Sequence, residues 1–198
     1  LKFDIVLVAI GVRPDNELAI KAGLKLGDSG AISVNDMMET SIRDIYAVGD
    51  AVEINHNILG EKRVSTLAGP ANKEARVAAS NICGMGSSYK GSIAPSIIKV
   101  FDMSAASVGI NEEEAKRNNI KYEKIILSPL NHAPYYPNAK PMTLKVLYDK
   151  KNYSFLGAQC VGYEGVDKRI DVIATSIYSN LKVYMLKDLD LVYAPPYS

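Results

Sequence analysis

The chain has 198 residues, and its 23 Lys plus Arg nearly cancel its 22 Asp plus Glu. That length suffices for one large domain or two small ones with cores of their own, and the balanced charge provides no field to recruit nucleic acid or an anionic membrane. Cys83 and Cys160 lie far apart, which excludes a disulfide framework and a thiolate metal site and suits a reducing, cytoplasmic setting. No apolar run reaches the ~18 residues of a membrane span, and no signal peptide is visible.

Leu1 is not an initiating methionine, and Asp4 to Ile10 is a continuous apolar run ended by Gly11. Such a run predicts a parallel strand covered on both faces, so a preceding sheet is expected outside this chain. Val12 to Asn16 reads as a turn, and Glu17 to Ala22 as a short helix stopped by Gly23. Asp28-Ser29-Gly30 predicts a hairpin turn into a half-exposed strand at Ala31 to Val34. Ile45 to Val48 predicts a second short strand, delivering Gly49 and Asp50 at its tip.

From Pro70, apt at a first helical position, Ala71, Ala75, Ala78, Ala79, Ile82 and Cys83 recur at the spacing of one buried helical face. Gly84 closes that helix, and the Gly- and Ser-rich stretch after it places a linker at residues 85–94. The first 84 residues then form one region and residues 95–198 another.

The second region has a different grammar. Ile97 to Phe101 and Ala105 to Gly109 read as paired strands, and Asn111 with Glu114 predicts a capping box. Asn118-Asn119 ends that helix. Strands are predicted at Tyr122 to Leu127, Met142 to Tyr148 and Phe155 to Val161, with a polar turn at Asp149 to Asn152. Ile170, Ile173, Ala174, Ile177 and Leu181 form the apolar stripe of a last helix. Strands flanked by helices in this order predict an α+β fold with an antiparallel sheet.

Aromatic residues in loops point to function more than to core. Tyr135 and Tyr136 lie in the Pro- and Asn-rich loop Asn131 to Pro141, and Tyr193 stands at a predicted strand end before Pro195-Pro196. Lys168 and Arg169 open the last helix, where a basic pair opposes the dipole unless an anion is near. A bound phosphate, a partner carboxylate or plain solvation would each satisfy that pair. His132 and His56 read as structural, and Cys83 and Cys160 as small core residues.

Val6 to Asp15, Thr40 to Asp50, Tyr163 to Asp171 and Tyr193 to Ser198 together resemble the flavoprotein disulfide reductase superfamily, in its NADH oxidase and coenzyme A-disulfide reductase branch. The first resembles the junction strand between NAD(H)- and FAD-binding domains, the second an FAD fingerprint, and the last two an interface domain. The resemblance implies the end of a Rossmann-like FAD/NAD-binding region followed by a dimerisation domain, so that residues 95–198 form a homodimer. It implies that Asp50 accepts a hydrogen bond from a ribityl hydroxyl and that Gly49 clears room for the cofactor chain. It also implies that Leu67, Ala68 and Gly69 line the flavin pyrimidine edge where Ala71 and Asn72 begin a helix. Tyr135 and Tyr193 would reach into the partner's active site and hydrogen-bond a departing thiolate, and Lys168 and Arg169 would meet a phosphate of coenzyme A.

The implied whole protein binds FAD, accepts hydride from NADH or NADPH, and reduces coenzyme A disulfide or a related disulfide or polysulfide through a cysteine that this chain lacks. By itself the chain is expected to be inactive and to retain no cofactor. An NADH oxidase or peroxidase of the same family, and a non-catalytic dimerisation module, are the alternatives, and whether a further domain follows Ser198 stays open.

Overall fold

A computed structural model describes residues 2–197, so Ser198 of the Tyr193 to Ser198 motif, like Leu1, lies outside the described residues. The fold is mixed helix and sheet, and it divides into two compact units: residues 1–55 with 62–91, and residues 56–61 with 92–198.

In the first unit α1 (Glu17–Lys21) is followed by β1 (Ile32–Ser33), which pairs in parallel with β2 (Val52–His56), and β3 (Glu61–Val64) lies on the other side of β2. α2 (Ala68–Ile82) supplies Val77 and Ala78 to a core closed by Val34, Met38, Val52 and Ile54.

Several expectations are corrected here. The run Asp4 to Ile10 forms no strand, and Ile5, Leu7 and Ile10 are 87%, 89% and 92% exposed, because no strand among the described residues pairs with it. A buried parallel strand is a property of its neighbours as much as of its own residues. Ile45 to Val48 is extended without being a strand; its register comes from a single bridge between Glu39 and Tyr46. The true sheet strand follows Gly49-Asp50, where Glu53 and His56 disguise β2 as polar although both are buried. α2 starts at Ala68, not at Pro70, and buries Pro70, Glu74, Val77 and Ala78, leaving Ile82 and Cys83 exposed.

In the second unit β4 (Ser96–Val100), β5 (Met103–Gly109), β8 (Phe155–Gly162), β7 (Met142–Asp149) and β6 (Tyr122–Leu127) form an antiparallel sheet in that spatial order. Residues opposed in register share a face. One face gathers Ala106, Val108, Met142, Val146, Ala158 and Cys160, and α4 (Val166–Tyr178) covers it with Val166, Ile170 and Ile173. The other face is capped at one end by α3 (Glu112–Arg117), where Ile110, Ala115, Leu147 and Leu156 are buried with Ile58 and Leu59 packed against them. Asn111 and Glu114 make the capping box that the spacing predicts.

Glu112 ties α3 to the sheet through Lys124 Nζ at 2.7 Å and Lys145 Nζ at 2.8 Å. Those two lysines, Lys124 first, hold its carboxyl at about 2, below the ordinary 4.5. A depressed carboxyl contributes stability that is present above the unfolded value and is lost as pH falls towards the folded one. Glu112→Gln is therefore expected to lower the urea midpoint at pH 7, and the gap to the unsubstituted protein should close between pH 4.5 and pH 2. A gap of equal size at pH 7 and pH 2.5 would exclude this account.

Candidate functional site

The first cluster lies in the first unit. Ala47 N–H donates to Met38 O at 3.1 Å and Thr40 N–H to Ile45 O at 2.8 Å, which lays residues 45–48 along the core without a ladder. The chain then turns through a single 3-10 turn, Gly49–Ala51. Gly49 has φ +79°, where a side chain is strained, whereas a Cβ there would meet only Ala71 Cβ at an ordinary 3.9 Å. Backbone conformation is thus sufficient reason for this glycine. Asp50 is exposed, so its carboxylate is available to a ligand.

α2 begins beside that turn. Its N-cap, Leu67, is extended and offers no side-chain acceptor. The first amides of a helix have no intrahelical partner, and Pro70 in the third position has none to offer, so Ala68 and Gly69, both exposed, carry the first donors. Ala71 is half-buried against the turn and Asn72 is exposed. Beneath them Glu74, 1% exposed, accepts a hydrogen bond from Gly49 N–H at 2.7 Å. Burial raises its pKa, the Gly49 amide lowers it, and the nearby charge of Asp50 raises it further.

The second cluster lies in the second unit. Tyr135 and Tyr193, 74% and 67% exposed and far apart in sequence, come together on the surface. The proximity of the Tyr193 hydroxyl, and then the repulsion that two ionised phenols would feel, raise the Tyr135 pKa above the ordinary 10.0. Tyr193 is not at a strand end as the sequence suggests; it lies in an irregular segment just before an isolated bridge between Ala194 and Tyr197.

The tyrosine loop is pinned at its neck. Asn131 N–H donates to Lys140 O at 2.9 Å, and Lys140 N–H donates back to the side-chain Oδ1 of Asn131 at 2.7 Å. Arg169 donates to Asn131 O at 3.3 Å, and Asn131 Nδ2 to Glu164 Oε2 at 3.4 Å. Lys140 Nζ sits 4.9 Å above the Tyr163 ring. His132 is buried and packs edge-on against Tyr136 at 5.7 Å. Arg169 therefore serves the loop neck, while Lys168 is half-buried one residue earlier, both in the second turn's approach of a helix that starts at Val166. Cys160 is buried at the sheet centre, and burial pushes its thiol up, as befits an inert core residue.

Two family descriptions match the chain: "Pyridine nucleotide-disulphide oxidoreductase, dimerisation domain" over residues 95–198 and "Pyridine nucleotide-disulphide oxidoreductase" over residues 1–75. The chain belongs to the pyridine nucleotide-disulphide oxidoreductases. This family is FAD- and NAD(P)H-dependent. Coenzyme A disulfide reductase of Staphylococcus aureus (strain bovine RF122 / ET3-1) is 36% identical over 99% of this chain. The chain spans 44% of that relative's length. Reduced Bacillus anthracis CoADR-RHD superposes with a TM-score of 0.95 at 46% identity, over 100% of this chain and 36% of that one. A NAD-dependent persulfide reductase from A. fulgidus superposes with a TM-score of 0.95 at 45% identity, over 98% of this chain and 36% of that one.

Within this oxidoreductase chain, two site-building residues escape a reading of the sequence alone. Glu74 stands three residues after Ala71 and four before Ala78, so a carboxylate on the predicted apolar stripe is the signal that marks it. Asn131 gives no such signal, because its role depends on Lys140, Glu164 and Arg169, which the fold brings from distant positions.

Proposed function

We propose that the protein to which this chain belongs is an FAD-dependent NAD(P)H oxidoreductase that reduces coenzyme A disulfide or a related disulfide or polysulfide. The observation that carries the substrate class is the exposed pair of Tyr135, on a pinned loop, and Tyr193 beside it. In this reading Tyr135 donates to the Tyr193 oxygen, and the Tyr193 hydroxyl is left to donate outward to a sulfur on which charge collects. Asn131, Arg169 and Glu164 keep the loop rigid, so little ordering is needed when substrate arrives. Lys168 remains the candidate for a phosphate of coenzyme A, with Arg169 shared between that role and the loop neck.

The first cluster fits FAD by the chemistry of its donors and acceptors. An exposed carboxylate suits a polyol hydroxyl, and the Ala68 and Gly69 amides at an uncapped helix start suit a carbonyl or anionic edge. Bound there, FAD would supply the hydride and electron transfer between NAD(P)H and the disulfide. Gly49, Asp50, Leu67, Ala68, Gly69, Ala71 and Asn72 bind and orient it; they move no proton. Alone, the 198-residue chain is expected to purify colourless, since it spans 44% of the length of the coenzyme A disulfide reductase it resembles.

Residues 95–198 are proposed to form a homodimer, supported by the family description. The sheet face not covered by α4 carries exposed Ile98, Ile126 and Val161, with Val100 and Met103 at its end, in a patch suited to a self-complementary contact. Tyr193 would then act on the partner's site.

In the full-length protein Tyr193→Phe is expected to slow disulfide turnover about tenfold or more, the loss of one hydrogen bond to a charged group, while flavin reduction by NADH keeps its rate. Stopped-flow absorbance separates the two steps, and unchanged turnover would remove Tyr193 from the reaction. A persulfide or polysulfide acceptor is favoured as second reading by the A. fulgidus relative. NADH consumption with coenzyme A disulfide, polysulfide and dioxygen in parallel decides between these and the oxidase reading, and no consumption with any of them would favour a non-catalytic dimerisation module.

A further inference from the structure

We propose that Glu74 is a positioning residue for the cofactor site: by accepting the Gly49 amide it fixes the turn that presents Asp50 and locks that turn to the helix whose first amides face the same ligand. The inference rests on the FAD reading above and adds a residue to it.

Three observations converge. A carboxylate 1% exposed is costly to keep unless it is hydrogen-bonded and used. Its Oε2 lies 2.7 Å from Gly49 N, so the Val48–Gly49 peptide, which enters the turn ahead of Asp50, cannot rotate without breaking that bond. Glu74 also stands one turn beyond Ala71, whose Cβ would be 3.9 Å from a Cβ added at Gly49. Helix and turn therefore touch at both Ala71 and Glu74. The left-handed backbone at Gly49, soft in an isolated peptide, is held from beneath.

The two acids differ in setting: Glu74 is buried and bonded to the Gly49 amide, whereas Asp50 is exposed, and burial first, with the nearby charge of Asp50 adding to it, raises the Glu74 pKa.

The test is a double-mutant cycle in the full-length protein, read as FAD dissociation constants from titration of the apoprotein. Glu74→Met keeps the volume of the side chain and relieves the desolvation of a buried charge, so the apoprotein is expected to fold; Glu74→Ala replaces it in the cycle if it does not. In the Asp50 background FAD should bind about tenfold more weakly, the loss that follows when one charge-assisted bond ceases to be well placed. In an Asp50→Ala background the same substitution should cost less than about twofold, because residues that act through one another are not additive. Glu74→Gln, which keeps an oxygen facing the Gly49 amide, should restore affinity to within about threefold. Equal losses in both backgrounds, no loss in either, or failure of Glu74→Gln to restore binding would each overturn the proposal. If Asp50→Ala itself binds FAD as well as the unsubstituted protein, the FAD reading of this cluster fails, and that outcome is distinct from the others.

Discussion

Asp50→Ala in the full-length protein is expected to weaken FAD binding by about 10- to 100-fold, the range for removing a hydrogen bond to a charged acceptor. The size of the effect follows from how little else that side chain does. Asp50 is exposed and takes no part in the hydrophobic core of its unit, so its removal leaves no cavity and strands no buried donor. Apoprotein melting should move little, because surface substitutions away from caps and special backbone usually change stability by no more than about 0.5 kcal/mol. The neighbouring glycine behaves oppositely. Gly49→Ala places a Cβ at φ +79°, which strains the folded backbone and should lower both the melting temperature and the FAD affinity. Flavin absorbance after desalting, set beside apoprotein melting, resolves the two cases. Asp50→Ala retaining FAD like the unsubstituted protein would remove the carboxylate from the site.

The second unit was legible because its signals are local. Met142 to Tyr148 alternates along a strand that turns Met142 and Val146 to the core under α4, and Asn111 with Glu114 caps a helix through atoms three residues apart. The first unit hides its logic in partners. Asp4 to Ile10 has the composition of a covered strand and no neighbour to make it one. β2 reads as polar because Glu53 and His56 are buried, Glu53 with a hydrogen bond from Ser29 Oγ at 3.0 Å. The alanine-rich stripe of α2 set the helix in place but misjudged its face: Glu74, not Ile82, is turned inward, since the turn at Gly49 offers an amide that an isoleucine could not use. Among the candidate residues, Tyr135 and Tyr193 could be singled out as loop aromatics, yet only the fold joins them.

In the sheet of the second unit, Gly157→Ala is expected to be strongly destabilising. A Cβ on Gly157 would fall 2.6 Å from Ile110 N and 2.8 Å from Val108 O, and closer still to Ile110 O. All three are backbone atoms, so no rotamer change can clear the space. Ile110 N–H donates to Leu156 O at 2.9 Å at this point, and Gly157 stands opposite Gly109 on one side and Leu147 on the other. Separating β5 from β8 to admit a methyl group would break that bond and open the cluster of Ile110, Ala115, Leu147 and Leu156. Overpacking of this kind costs about 3 kcal/mol. With a urea dependence of about 1–3 kcal/mol per molar, the midpoint for this unit should fall by about 1–3 M. Because β7 and β8 carry the loop neck and the start of α4, Tyr135 and Tyr193 should move apart as the sheet loosens, and disulfide turnover should fall with the urea midpoint. A midpoint lowered by less than about 0.3 M would mean that the strands separate more easily than these backbone contacts allow.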